Sequence, residues 1–185
     1  MPQNRGEGQT PLDLGTTMTD KGRFHDAIEP LLRAAALDGP PAKRRATAMA
    51  LLRLGIGLCE RHDFAGALRV HLPAARIFAE LGDATHELQC GAFIGVSEWQ
   101  LKAYESAIQV FESNAVNARR MDGETALQAQ AMLSISCILV DHLRQYQRAI
   151  WYASEAARLF RATAHQEQEA HALRHLDEAR RGGRA

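Results

Sequence analysis

Cysteine is scarce, at three residues: Cys59, Cys90 and Cys137. They are odd in number and widely spaced, with no Cys-x-x-Cys pair. That pattern excludes a disulfide framework and a zinc knuckle. Each falls in an apolar, helix-like stretch and reads as a small hydrophobe in a reducing compartment. Long apolar runs are also missing, so no segment is expected to enter a membrane. Met1 to Gly8 lack an apolar region, and no secretory leader is expected. Charge of either sign is not in excess, since 22 Lys and Arg balance 22 Asp and Glu. A nucleic-acid binder normally carries a basic surplus, so none is expected here. Motifs of catalysis are absent as well: there is no nucleophile elbow, no phosphate loop and no dinucleotide loop. No alternating strand pattern bounded by hairpin turns occurs. The expectation is a cytoplasmic protein that is not an enzyme and has no cofactor and no metal.

What the chain has instead is a repeat. Gly15, Gly55 and Gly95 recur at a spacing of 40, as do Phe24, Phe64 and Tyr104, and Ala27, Ala67 and Ala107. Ile28, Leu68 and Ile108 follow the alanines. A fourth copy comes 42 residues on, with Cys137 in the glycine slot, then Tyr146, Ala149 and Ile150. Small residues in this register let two antiparallel helices approach closely, the glycine of one facing the alanine of the next. The aromatic opens the second helix and plugs the turn. Such a hairpin cannot bury its apolar face alone and must stack on neighbours.

Punctuation then sets the helices. Thr10-Pro11 is an N-cap followed by proline at the first helical position, opening a helix to about Lys21. Later helices are predicted at about 24–37, 42–61, 64–81, 85–102, 104–121, 124–143 and 146–162, with a final one at about 165–181. Pro30 and Pro73 fall inside second helices and should kink them. The predicted organisation is a single domain over 10–181, with repeats at about 10–40, 41–83, 84–123 and 124–163 and a capping helix at 164–181. Residues 1–9 and 182–185 should be flexible.

These residues resemble the tetratricopeptide repeat family, in a long variant of about 40 residues per unit. The resemblance covers about residues 10–180 and implies an all-α fold: a right-handed α-solenoid of about four hairpins plus a C-terminal cap. It implies that first helices of each hairpin line a concave groove. Matched position by position, that groove comprises Leu52, Ile56, Glu60, Gln89, Val96, Trp99, Gln100, Ser134, Ile138 and Asp141. The basic set that grips a terminal carboxylate in some members is missing. The groove should therefore take an apolar or amphipathic segment. One departure stands out, because Glu98 occupies a slot where the family packs a ring. Trp99 beside it is either a groove anchor or the ring that fills that slot.

The implied function is non-enzymatic protein–protein interaction, as an adaptor, chaperone or scaffold binding a peptide or protein segment. A self-assembling structural subunit, hence a homo-oligomer, and a peptide-sensing regulator acting in trans are the alternatives. Three side features complete the reading. Trp151 and Tyr152 are expected in the core or on the outer face. Glu167, His171 and His175 share a face of the last helix, but His-x3-His without a further ligand reads as a solvated stripe. Lys43-Arg44-Arg45, at the positive end of a helix, is a contact for an acidic partner or a solvated face.

Overall fold

The computed structural model describes residues 10–184, and the expected flexible segment 1–9 lies outside them, as does Ala185. Among the described residues there are nine α-helices and no strand: α1 (Pro11–Asp20), α2 (Phe24–Ala35), α3 (Pro41–Glu60), α4 (Phe64–Glu80), α5 (Ala84–Gln100), α6 (Tyr104–Arg119), α7 (Thr125–Asp141), α8 (Tyr146–Ala162) and α9 (Gln166–Gly182). Every boundary falls within about two residues of the predicted one. Gly182, expected in the tail, is the last residue of α9. The prolines do not end their helices: α2 runs through Pro30 and α4 through Pro73. The two residues that stretch the last repeat spacing from 40 to 42 fall between α6 and α7, a connection of five residues where α4 and α5 are joined by three.

Local chemistry explains the punctuation. The Thr10 hydroxyl oxygen accepts the Asp13 N–H at 3.2 Å, and the Asp63 carboxylate accepts the Gly66 N–H at 2.9 Å. Each occupies one of the amide donors that a helix start leaves unpaired. Helix ends close with a left-handed residue. Gly22, His62, Lys102 and Arg144 all have positive φ and recur in the repeat register, two residues before each aromatic. In the first three, the next amide reaches back five residues, as from Arg23 N–H to the Met18 carbonyl at 2.9 Å. That is the bond that closes a Schellman end. Only the first copy supplies glycine at this position. The other three hold a side chain in a conformation that costs about 1 kcal/mol.

The helices form two compact units, dividing after Phe93 within α5. In the first, α1 to α4 pack each on the next, and α1 also meets α3 as α2 meets α4. Its core includes Leu31, Leu51, Leu54, Leu58, Ile77 and Phe78, all essentially inaccessible. Burying a side chain of that size stabilises by about 1.5–3 kcal/mol. In the second, α6 to α9 pack in succession, and α7 also meets α9. Its core is built from Phe111, Ile135, Ile138, Leu139 and Phe160. α9 contributes only Ala172, Leu176 and Ala179 to the buried set.

The repeat glycines do a different job from the one expected. Each faces not the alanine of the second helix but the residue one turn further on. A Cβ on Gly15 would lie 2.5 Å from Leu31, one on Gly55 2.2 Å from the His71 ring, and one on Gly95 2.7 Å from the Phe111 ring. Glycine is thus the socket for a large side chain. The fourth copy inverts the pair, with Cys137 in the socket register and Ala153 in the large-residue register, both buried. The aromatics also reach beyond their own turn. Phe24 lies against Gly57 of α3 with the Arg61 guanidinium 4.8 Å over its ring, and Tyr146 lies against Gly182. Tyr104 stacks on His142 at 4.4 Å. Phe24, Tyr104 and Tyr146 therefore each fasten a hairpin to the helix that follows or its end.

Candidate functional site

A helix that packs on two sides keeps a third stripe for other contacts, and burial decides which residues those are. On α3, Leu52 is buried, Ile56 half-buried and Glu60 exposed; on α5 of the same unit, Gln89 is exposed. In the second unit, Val96 and Trp99 are half-buried, and Gln100 and Asp141 are exposed. Ser134 and Ile138 are buried, Ile138 at 0% exposure. Leu52, Ser134 and Ile138 therefore act in packing and give no accessible contact, in contrast to the groove expectation. The Ser134 hydroxyl turns back to donate to the Gln130 carbonyl at 3.0 Å. Trp99 packs against the core of its unit and meets His142 edge-on at 6.4 Å. The neighbouring Glu98 keeps one carboxylate oxygen buried and unpartnered.

Among the described residues, the most accessible large apolar side chain is elsewhere. Trp151, expected in the core or on the outer face, is 58% exposed, and Val116 is 52% exposed. They flank a groove of about 360 Å³ formed by α6, α7 and α8, whose floor is Ala115, Met132 and Tyr152. Trp151 stands edge-on to Tyr152 at 4.8 Å. The Tyr152 hydroxyl donates to Glu112 at 2.5 Å, and Arg148 lies 3.6 Å from the same carboxylate. Partial burial, reinforced by the Glu112 carboxylate, pushes the Tyr152 hydroxyl up to about 12, so it remains a donor at neutral pH. Glu112 and Arg119 supply charge at the rim of this otherwise apolar groove. A second depression, of about 460 Å³, lies between α1 and α3 in the first unit. It is lined by Leu12, Met49 and Ala50 with several polar residues.

Two sequence features change meaning in three dimensions. The basic run at the start of α3 is largely taken up internally: Arg44 pairs with Glu80 and Arg45 with Asp83. It is therefore an intramolecular clamp rather than an open contact for an acidic partner. The histidine pair of α9 is not a plain solvated stripe. Glu167 is exposed and apart from it, but Cys137 of α7 approaches instead, with its sulfur 3.3 Å from His175 Nε2. His175 Nε2 is in turn 3.2 Å from His171 Nε2. Nothing in the sequence linked Cys137 to residues 34 and 38 positions later; only the packing of α9 on α7 does. No disulfide is present among the three cysteines.

The architecture is that of a helical-repeat protein. No protein-family model and no curated protein matches the sequence. Among solved structures, the apo form of RapI is similar, with a TM-score of 0.50 at 16% identity. The match covers 92% of this chain and 51% of RapI, so the chain spans about half the length of that protein. At that identity the likeness concerns the fold. Among the described residues, no helix is long and apolar enough to cross a membrane.

Proposed function

We propose that this chain is a tetratricopeptide-like, non-enzymatic interaction module of the cytoplasm, and that it binds a helical protein segment in the α6–α7–α8 groove. The observation that carries the reading is Trp151, held more than half exposed beside Val116 at the mouth of an apolar groove. Exposing a tryptophan in this way forgoes burial, and tryptophan is enriched among residues that dominate binding energy. Met132 at the floor adapts to irregular apolar surfaces. Glu112 and Arg119 offer the charged points that would fix the register of an amphipathic helix.

The test uses a photo-crosslinking residue at position 151 and, as a control, at the exposed position 76 of α4, in extracts of the native host. A protein captured only at 151 is then purified and titrated against the wild type, Trp151→Ala and Trp99→Ala. Trp151→Ala should lower affinity about thirty-fold, equivalent to about 2 kcal/mol, with an unchanged melting temperature. If affinity instead depends on Trp99 and ignores Trp151, the binding surface lies along α5. If position 151 captures only another copy of this chain, the module is a self-assembling subunit. If it captures nothing, the interaction reading fails.

A further inference from the structure

The Cys137, His171 and His175 cluster joins one i, i+4 histidine pair to a single cysteine on a helix packed against it. Cys137 lies on α7 and both histidines on α9, one turn apart. Cys137 is buried, His175 half-buried and His171 exposed. One ligand atom from each residue lies within 4.8 Å of the others; Cys137 Sγ and His175 Nε2 stand 3.3 Å apart, and the two Nε2 atoms 3.2 Å. A tetrahedral zinc ion with its usual bond lengths sets S···N near about 3.6 Å and N···N near about 3.3 Å. The three atoms therefore stand close to ligand spacing before any ion is bound.

Hydrogen bonding does not account for the cluster. His175 Nε2 carries either one proton or one lone pair, so it cannot serve both Sγ and His171 Nε2 fully. An ion in their midst would satisfy all three atoms at once. The other face of the His175 ring is prepared in the same sense. Glu178 Oε2 lies 3.3 Å from Nδ1, at ion-pair distance though off the hydrogen-bonding direction. A carboxylate behind a ligating imidazole fixes its tautomer and raises its basicity.

We propose that Cys137 Sγ, His171 Nε2 and His175 Nε2 bind a zinc ion, with water in the fourth position on the exposed His171 side. On binding, the Cys137 thiol releases its proton to solvent as the zinc–sulfur bond forms, and both imidazoles coordinate as neutral donors. One thiolate with two imidazoles suits this borderline-soft divalent cation, and three protein ligands leave its tetrahedral shell one position open. The bond would fasten α9, whose apolar contribution is only two alanines and a leucine, onto α7. The site is separate from the α6–α8 groove and does not depend on the function proposed for it.

The experiment titrates the metal-free full chain with Co²⁺, followed by Zn²⁺. The wild type should bind one Co²⁺ per chain, with tetrahedral d–d bands and a thiolate-to-cobalt charge-transfer band. Zn²⁺ should displace it and raise the melting temperature. Cys137→Ser should remove the charge-transfer band. His171→Ala, at an exposed position, should leave the metal-free melting temperature unchanged yet abolish stoichiometric binding. Glu178→Gln should weaken Zn²⁺ about 10- to 100-fold. Three results would each overturn the proposal: no stoichiometric binding of either ion, full binding in His171→Ala, or a charge-transfer band that survives Cys137→Ser. The last would place the metal on Cys59 or Cys90.

Discussion

Replacing His71 by leucine should make the protein less sensitive to acid. His71 holds the position against a helix glycine that Leu31 and Phe111 hold in the neighbouring copies. It is fully buried and stacked on Phe93 at 5.1 Å, and neither ring nitrogen meets a partner in good hydrogen-bonding geometry, the Leu52 backbone being the polar group that approaches. Burial lowers its pKa from 6.5 to about 4, and the nearby Leu52 backbone offsets only part of that effect. In the unfolded chain the imidazole titrates near 6.5, so as pH falls the unfolded state takes up the proton first. The lowered folded value therefore contributes stability that is complete above pH 6.5 and lost as pH falls toward 4. The full loss is about 3 kcal/mol, of which about 2 kcal/mol has gone by about pH 5. Urea unfolding of wild type and His71→Leu at about pH 7 and about pH 5 measures it, because every contribution the two proteins share cancels in the comparison. The wild type should lose about 2 kcal/mol more than the variant between the two pH values. An equal loss in both would show that His71 is not buried as a neutral ring, and would refute the socket described for Gly55.

Other outcomes follow from the same packing. Gly55→Ala would normally favour a helix by up to about 1 kcal/mol, but here its Cβ meets the His71 ring, and it should cost about 1–3 kcal/mol. Thermal melts of Gly55→Ala, His71→Ala and the double variant should show the double less destabilised than the sum of the singles. Lys102→Gly relieves a side chain held at φ 64 and should stabilise by about 0.5–1 kcal/mol in chemical denaturation. Burial pushes the Cys90 and Cys137 thiols up to about 12. Brief alkylation of the native, metal-free protein at mildly alkaline pH should therefore modify the half-buried Cys59 and spare those two, as intact-mass and peptide analysis would show.

The fold was legible because its signals are local. Thr10-Pro11 sits at the helix start it defines, and the register of glycine, aromatic and alanine marks each hairpin directly. What touches what was less legible. Residues adjacent on a helix point about 100° apart, so a groove stripe and a core stripe can differ by a single position. Ile56 and Val96 kept partial exposure where Leu52 and Ile138 became core. The sequence marks the glycine sockets but not which turn of the next helix fills them, since Ala27 and Leu31 lie on the same helix face. Trp151 was hidden in an Ala-rich helix where an aromatic resembles core. The approach of Cys137 to the α9 histidines depends on how a third helix returns to a first, and no local pattern encodes that.

The sockets also bear on how such a chain avoids misassembly. Repeat proteins risk pairing a helix with the equivalent helix of the wrong copy, because similar faces offer similar burial. Here the copies carry different keys. Leucine fills the first glycine socket, an uncharged histidine the second and phenylalanine the third, while the fourth hairpin places Cys137 and Ala153 in the two registers. A Phe111 helix brought against Cys137 would meet a side chain where it needs an opening. An Ala153 helix brought against Gly95 would leave a void, and each mismatch costs on the order of 1–3 kcal/mol. Variation among the copies thus acts as an address, written in side-chain volume, that tells each hairpin which partner is its own.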